Sequence, residues 1–351
     1  MKKLTERKIL LSEFVYFPRK EELLESSLLH YGMLELPLKV PSKWVKNNFV
    51  SLFYKSPKNI VCPHFWVFKP LIGCPYQCSY CFLQGTFFGD KTPRFKNLEE
   101  MAKNLEKFLC WATSIGLKTL LNVGELCDSL AVPSWTAKFL KVCVPILKRF
   151  PGNKLLFLTK AGINNIHVLL EDPSLSEIIV MSHSLNPRLI IERFEKGTAP
   201  LDHRLEAAKK LQEAGYEVRL RIDPIIPVKD WPILYSELID EIFKKFDLKP
   251  ERITLGSLRG LKKTLFYAKD KDWIKYLNKH ERTGWGLKIE KNLRLSLYAQ
   301  IIQDLRKYGF NGHMALCKET PEIWMKLASE NLLSNPGRFG IWENVKCNCK
   351  S

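Results

Sequence analysis

Six apolar, β-rich runs recur between Phe65 and Leu258, with helical patterns between several of them. They are FWVFKPLIG (65–73), KTLLNVGE (118–125), KLLFLTK (154–160), EIIVMSHS (177–184), EVRLRIDPII (217–226) and RITLGSL (252–258). The clearest helices run from about Leu98 to Ser114, from about Ser134 to Lys148, and over LDHRLEAAKKLQEAGY (201–216). The last ends at Gly215, with Asp202 placed to cap its first turn. Strand–helix units in series imply parallel strands joined by right-handed crossovers. Six units fall short of a closed eight-fold barrel. The expected fold class is therefore α/β, an open partial (βα)6 barrel whose working face lies at the C-terminal ends of its strands. On that expectation GELCDSL (124–130), TKA (159–161), SHSLNP (182–187), DPIIP (223–227) and the loop after the first run surround one mouth.

That first loop reads GCPYQCSYCFLQ and carries Cys74, Cys78 and Cys81 with C-x3-C-x2-C spacing. Ordinary 4Fe–4S clusters take four cysteines, so three thiolates would hold three irons and leave the fourth open to a ligand that is not protein. The spacing resembles that of the radical S-adenosylmethionine (SAM) enzymes. There the open iron is ligated by the SAM amino and carboxylate groups, and reduction cleaves SAM to a 5′-deoxyadenosyl radical. A zinc site usually pairs two CxxC units, or one with histidines. No histidine lies in or just after this loop, and the spacing fits zinc poorly.

Fifty-five Lys and Arg against 37 Asp and Glu leave a formal charge of +18, which favours a polyanionic partner such as nucleic acid. A generally Lys-rich surface is the plainer explanation. A hydrophobic fraction of 46% argues against extensive disorder. Ten cysteines without a secretory leader point to a reducing, cytoplasmic location, since Glu13 breaks the only apolar stretch near the start. No uncharged run has transmembrane length, so no membrane partner is expected. The chain divides into an N-terminal extension (1–58), the barrel (59–260) and a basic helical region with a cysteine-bearing tail (261–351). That region includes an amphipathic helix near 290–307.

GCPYQCSYCFLQGT resembles the cluster loop of the spore photoproduct lyase family, in which the last cysteine is followed by an aromatic residue and Leu-Gln. FEKGTAPLDHRLEAAKKLQEAGYEV (194–218) resembles that family's Phe-Glu-x-Gly-Thr-x-Pro-Leu-Asp block. With weaker matches between, the similarity runs from about Phe65 to Ser257. The resemblance implies an adenosyl radical that takes hydrogen from a thymine dimer in DNA. The bond between the thymines then breaks, and a cysteine thiol returns a hydrogen. A damaged base costs less to extrude from the stack than an intact one. An electron donor such as flavodoxin or ferredoxin is implied as well.

Carried onto this chain, the resemblance makes Cys74, Cys78 and Cys81 the cluster ligands. Gly124 and Glu125 would hold the SAM amino group, a carboxylate suiting an ammonium. Ser129, Lys160 and Ser184 would lie near SAM, with Lys160 a point charge for its carboxylate. Cys127 falls where the family keeps its hydrogen-donating cysteine; the alternative is a small residue in a buried place. Tyr80 matches one of two tyrosines that flank the third cluster cysteine, but Phe82 stands at the other. Without a second phenol the two-tyrosine relay cannot operate. That departure leaves open a radical enzyme of the same group acting on RNA, a nucleotide or a protein, or a non-catalytic iron–sulfur protein that binds nucleic acid.

Cys317, Cys347 and Cys349 are expected either to gather an auxiliary iron–sulfur cluster or, with His313, a zinc, or to lie on a frayed tail. Cys62, Cys110 and Cys143 are expected in the core. Trp66, Trp231, Trp285 and Trp324 invite base stacking, although aromatics more often pack. HERTGWGLK (280–288), with an exposed Trp285, is the best candidate for duplex contact.

Overall fold

A computed structural model describes residues 40–57, 59–338 and 342–351; residues 1–39 of the expected N-terminal extension lie outside them. Eight strands form the main sheet, and their order in space follows the chain. They are β1 (Val50–Phe53), β2 (Phe65–Phe68), β3 (Leu120–Asn122), β4 (Lys154–Thr159), β5 (Ile179–Ser184), β6 (Glu217–Ile225), β7 (Arg252–Ser257) and β8 (His313–Leu316). Strands β2 to β8 run parallel, and β1 lies antiparallel on the edge. The six expected strands are β2 to β7. Two more extend the sheet, β1 before them and β8 after. A bridge between Val61 and Glu319, with the Val61 amide 2.7 Å from the Glu319 carbonyl, joins chain next to the two edge strands. The architecture is the curled partial barrel that the sequence implies.

Helices cover the outer face. In α1 (Leu98–Ser114) the Asn97 side chain accepts from the Glu100 amide at 3.0 Å, and Met101, Leu105, Phe108, Leu109 and Ala112 are buried. That spacing is a helical stripe. Its neighbours are α2 (Pro133–Lys148) and α3 (Leu201–Glu213). Asp202 does not cap α3: Pro200 holds the cap position, and the Asp202 carboxylate instead pairs with Arg188 and Lys245. Gly215 follows with φ +84, a left-handed turn that suits glycine. In α4 (Lys291–Lys307) the Glu290 carboxylate accepts the Asn292 and Leu293 amides at 3.0 and 2.8 Å. Strands β2, β5 and β7 are buried along their whole length, as expected of parallel strands covered on both faces.

The concave side is filled partly by the chain's own CNC segment, which is not frayed. Asn348 is fully buried. Its side-chain amide donates to the Ser182 hydroxyl on β5 and the Leu220 carbonyl on β6. Its amide oxygen accepts from Thr254 on β7 at 2.9 Å. Arg219 reaches the Asn348 and Lys350 carbonyls, and Arg252 reaches those of Cys347 and Lys350. Cys349 packs beside the lumen residues Leu120, Leu156 and Val180. Polar groups on the inner strand faces need partners, and this segment supplies them.

Candidate active site

The C-terminal ends of the strands open into a cavity of about 510 Å³. Cys74, Cys78 and Cys81 line it, together with Gly124–Asp128 after β3, Lys160 after β4, Ser184 at the end of β5 and Asp223 and Pro224 in β6. The expected rim is therefore the observed one. Phe53 of β1, Trp285 and Lys318 complete the wall.

The cysteine loop is held from three sides. Gly73 (φ +88) turns the chain so closely that a Cβ there would lie 2.4 Å from the Thr92 carbonyl oxygen. Gln84, the glutamine of the Leu-Gln pair, donates to the Cys78 and Ser79 carbonyls at 3.1 and 2.7 Å. Gln77–Cys78 forms a short antiparallel ladder with Glu195–Lys196. The charged side chain of Lys91 is buried beside the loop, 3.4 Å from the Cys74 carbonyl. Among the described residues no three His, Cys, Asp or Glu side chains are gathered tightly enough to hold a metal ion as they stand. Assembling a cluster would draw Cys74, Cys78 and Cys81 inward from the cavity wall they share. Three soft thiol donors on one braced loop, beside a buried cation, are a donor set that fits a three-cysteine cluster.

Glu195, from the FEKGT block, organises the floor. It is buried and receives the Tyr80 hydroxyl, Lys160 Nζ at 3.1 Å and the Asn186 amide at 2.9 Å, and it pairs with the buried Arg204 at 2.7 Å. Burial alone would raise its carboxyl; the Lys160 and Arg204 cations and the donated hydrogen bonds hold it at about 2. Burial, with the Glu195 charge second, pushes the Tyr80 phenol far up, so its proton stays on oxygen. Tyr80 is thus on the cavity wall with its hydroxyl already committed. Arg204 in turn donates to the Ser184 and Ala199 carbonyls and the Thr198 hydroxyl. The block that resembled the family therefore braces the cysteine loop from behind.

Cys127 sits between β3 and α2, buried but lining the cavity, with its thiol 3.2 Å from the Val123 carbonyl. Its neighbour Asp128 accepts from the Thr159 hydroxyl at 2.8 Å and the Lys160 and Leu130 amides at 2.6 and 3.0 Å, tying the loop to the end of β4. Burial foremost, then the Asp128 charge, raises the Cys127 thiol well above its usual range, so it carries its hydrogen. Gly124 packs against β4, where a Cβ would meet Leu158 Cβ at 2.4 Å. Ser129 stands behind it and off the cavity wall. Its hydroxyl accepts from the Leu158 amide at 3.0 Å, a positioning contact. Glu125 faces the cavity with Lys318 Nζ 3.4 Å away. Lys318 also lies over the Trp285, Phe53 and Phe82 rings at 4.6, 5.1 and 5.9 Å.

Trp285 is not exposed: it is half-buried and stacked on Phe53, with centroids 6.0 Å apart. Its hairpin (Asn278–Thr283 and Gly286–Lys288) exposes Lys279, His280 and Arg282 instead. Trp66 and Trp324 are core residues, and Trp231 packs partly buried against the core. Across the mouth Asp223 is gripped by Arg221 and Arg259, which overcome its burial and keep it ionised. Cys317, Cys347 and Cys349 all line a second, smaller cavity that shares Glu125, Arg221 and Lys318 with the first. His313 is not on it; it is exposed at the far end of β8, beside Lys346.

Glu195, Asp128 and Lys318 escaped sequence reasoning. The signal for Glu195 was a carboxylate wedged between Phe194 and a Gly-Thr turn, and for Asp128 its place beside Cys127. Lys318 had no local signal.

Residues 68–257 match the family model described as spore photoproduct lyase. The chain is 27% identical over 225 residues to the spore photoproduct lyase of Bacillus subtilis (strain 168), covering 61% of this chain and 63% of the relative. It is 28% identical over 177 residues to that of Geobacillus sp. (strain Y412MC61), covering 50% of each. The chain thus spans between half and just under two thirds of these relatives. A spore photoproduct lyase mutant solved with AdoMet and dinucleoside spore photoproduct has a similar fold, with TM-score 0.60 and 23% identity over 73% of this chain and 76% of that one. A spore photoproduct lyase complexed with dinucleoside spore photoproduct gives TM-score 0.58 and 23% identity over 70% of this chain and 74% of that one. More than half of the chain matches the family model, over the barrel that carries the cysteine loop, Cys127 and Glu195, and the chain belongs to the spore photoproduct lyase family.

Proposed function

We propose that the chain is a radical SAM enzyme acting on thymine-dimer lesions in DNA, with Cys127 as the hydrogen donor. The observation that carries this reading is the placement of Cys127 on the same cavity as Cys74, Cys78 and Cys81. With a 4Fe–4S cluster on those three cysteines and SAM on its open iron, the site would supply a 5′-deoxyadenosyl radical able to remove hydrogen from a bound base. The chain's own residues do the rest. Gly124 lets the backbone approach the cofactor, and Glu125 offers its carboxylate to the SAM ammonium in place of Lys318. Lys160, shared with Glu195, presents a cation to the SAM carboxylate. Phe53, Phe82 and Trp285 form an apolar wall on which an extruded base can stack. Cys127 donates its S–H hydrogen to the product radical, because that bond is weak and the thiol is kept protonated.

The substrate is DNA, reached through the basic surface, and a flavodoxin or ferredoxin supplies electrons. All ten cysteines are free thiols, which suits a cytoplasmic setting. No helix among the described residues is long and apolar enough to cross a membrane. Phe82 favours a second reading, in which a substrate other than spore photoproduct occupies the same cavity. The test is anaerobic reconstitution, reduction, and incubation with SAM and an oligonucleotide carrying spore photoproduct. Repaired thymines, lost in Cys74→Ala and stalled or misdirected in Cys127→Ala, support the first reading. Abundant 5′-deoxyadenosine without repair refutes that substrate, and SAM bound without cleavage refutes a radical enzyme.

A further inference from the structure

The small cavity beside the mouth measures about 30 Å³ and is lined by four cysteines, not three: Cys317, Cys347, Cys349 and Cys62. They come from separate stretches of chain. Cys62 precedes β2, Cys317 follows β8, and Cys347 and Cys349 flank Asn348, the residue anchored in the barrel lumen. Hydrogen-bond donors already address two of the sulfurs: Arg221 Nη2 is 3.3 Å from Cys317 Sγ, and Asn122 Nδ2 is 3.5 Å from Cys349 Sγ. Lys318, on the same cavity, adds a second cation beside Arg221. Four sulfurs around a small void, with N–H donors and cations turned toward them, are what a tetrahedral thiolate site needs, because the bound ion leaves a net negative charge on sulfur.

We propose that Cys62, Cys317, Cys347 and Cys349 bind one structural zinc ion. Four thiolates around a void with room for a couple of water-sized bodies suit a single tetrahedral ion with sulfurs at about 2.3 Å. As they stand these cysteines, like those of the loop, are not gathered tightly enough to hold an ion, so binding draws them inward. C-x-C is a short chelate, and the anchored Asn348 between its cysteines fixes their direction. The ion joins the segment before β2, the end of β8 and the CNC segment. It thereby closes the partial barrel next to Glu125, which borders both cavities. Folding and metal binding are coupled in such sites, so the metal would hold the lumen plug in place.

The site stands whether or not the radical reading is right, and its test uses no activity. The protein is produced with zinc and iron both supplied, and its metals are counted. The expected result is one zinc per chain beside the iron of the cluster, with a zinc absorption-edge spectrum giving four sulfur neighbours at about 2.3 Å. Cys62→Ser should lose the zinc and keep the cluster iron, whereas Cys110→Ser, on the exposed face of α1, should keep both. Should Cys62→Ser fail to fold, the spectrum of the unaltered protein still decides. Absence of zinc, nitrogen or oxygen neighbours in place of sulfur, iron in this site, or full zinc retention in Cys62→Ser would each overturn the proposal.

Discussion

Replacing Glu195 by glutamine keeps the side chain's shape and removes its charge. Arg204, whose side chain is wholly buried, and Lys160, 15% exposed, then lose their counter-ion. Breaking a buried ion pair from one side costs about 3–5 kcal/mol, because the remaining charge is left desolvated. The titration of Glu195 gives a second route to the magnitude. Its carboxyl falls from 4.5 to about 2 in the folded chain, although burial alone would raise it. That drop corresponds to about 3 kcal/mol at neutral pH. Because the folded value is depressed, the contribution is complete above the unfolded value of 4.5 and is lost as pH falls toward 2. Urea unfolding of the two proteins at pH 7.5, followed by tryptophan fluorescence, should therefore show the variant's midpoint about 1 M lower, for a slope of about 3 kcal/mol per M. In cluster-free protein the gap should narrow below pH 4.5. Adding Lys160→Met should recover part of the loss, since one stranded cation is then gone. A gap under about 1 kcal/mol at pH 7.5, or one that is unchanged at pH 3.5, would refute the assignment of Glu195 as the charged hub under the cysteine loop.

Three further expectations follow from the same geometry. Gly124→Ala places a Cβ 2.4 Å from Leu158 Cβ, so it should cost about 1–3 kcal/mol and weaken SAM binding, read by thermal melting and equilibrium dialysis. Asn348→Ala strips partners from Ser182, Leu220 and Thr254, and should destabilise by about 2–3 kcal/mol while exposing the CNC segment to protease. If the exposed Lys279 and Arg282 of the hairpin contact phosphates, the double alanine variant should bind duplex DNA with a salt slope smaller by about 2, whatever the sequence.

The parallel strands, the principal helices and the cysteine loop were legible because local chemistry marks them. Apolar β-rich runs between helical stripes specify a parallel sheet, and the C-x3-C-x2-C spacing is a property of one short loop. The gathering of Gly124, Lys160 and Ser184 at one mouth followed from parallel topology alone, since every β–α turn emerges on the same side. Cys127 belonged to that set for the same reason. Other features depended on contacts between distant stretches. Glu195 is one carboxylate among 37 Asp and Glu residues until the ladder to Gln77–Cys78 puts it beneath Tyr80 and Lys160. Ser129 lies seven residues past β3, and only the fold brings its hydroxyl to the Leu158 amide on β4. Trp285 looked exposed because its neighbours are polar, but Phe53 of the edge strand covers it. The CNC segment has no apolar pattern to say where it lies, whereas buried hydrogen-bonding groups on β5, β6 and β7 hold it in the lumen. Periodicity and spacing report what a residue does to its near neighbours along the chain. Which buried charge meets which partner, and which cysteine joins the other three, is decided only when the curling sheet brings its edges together.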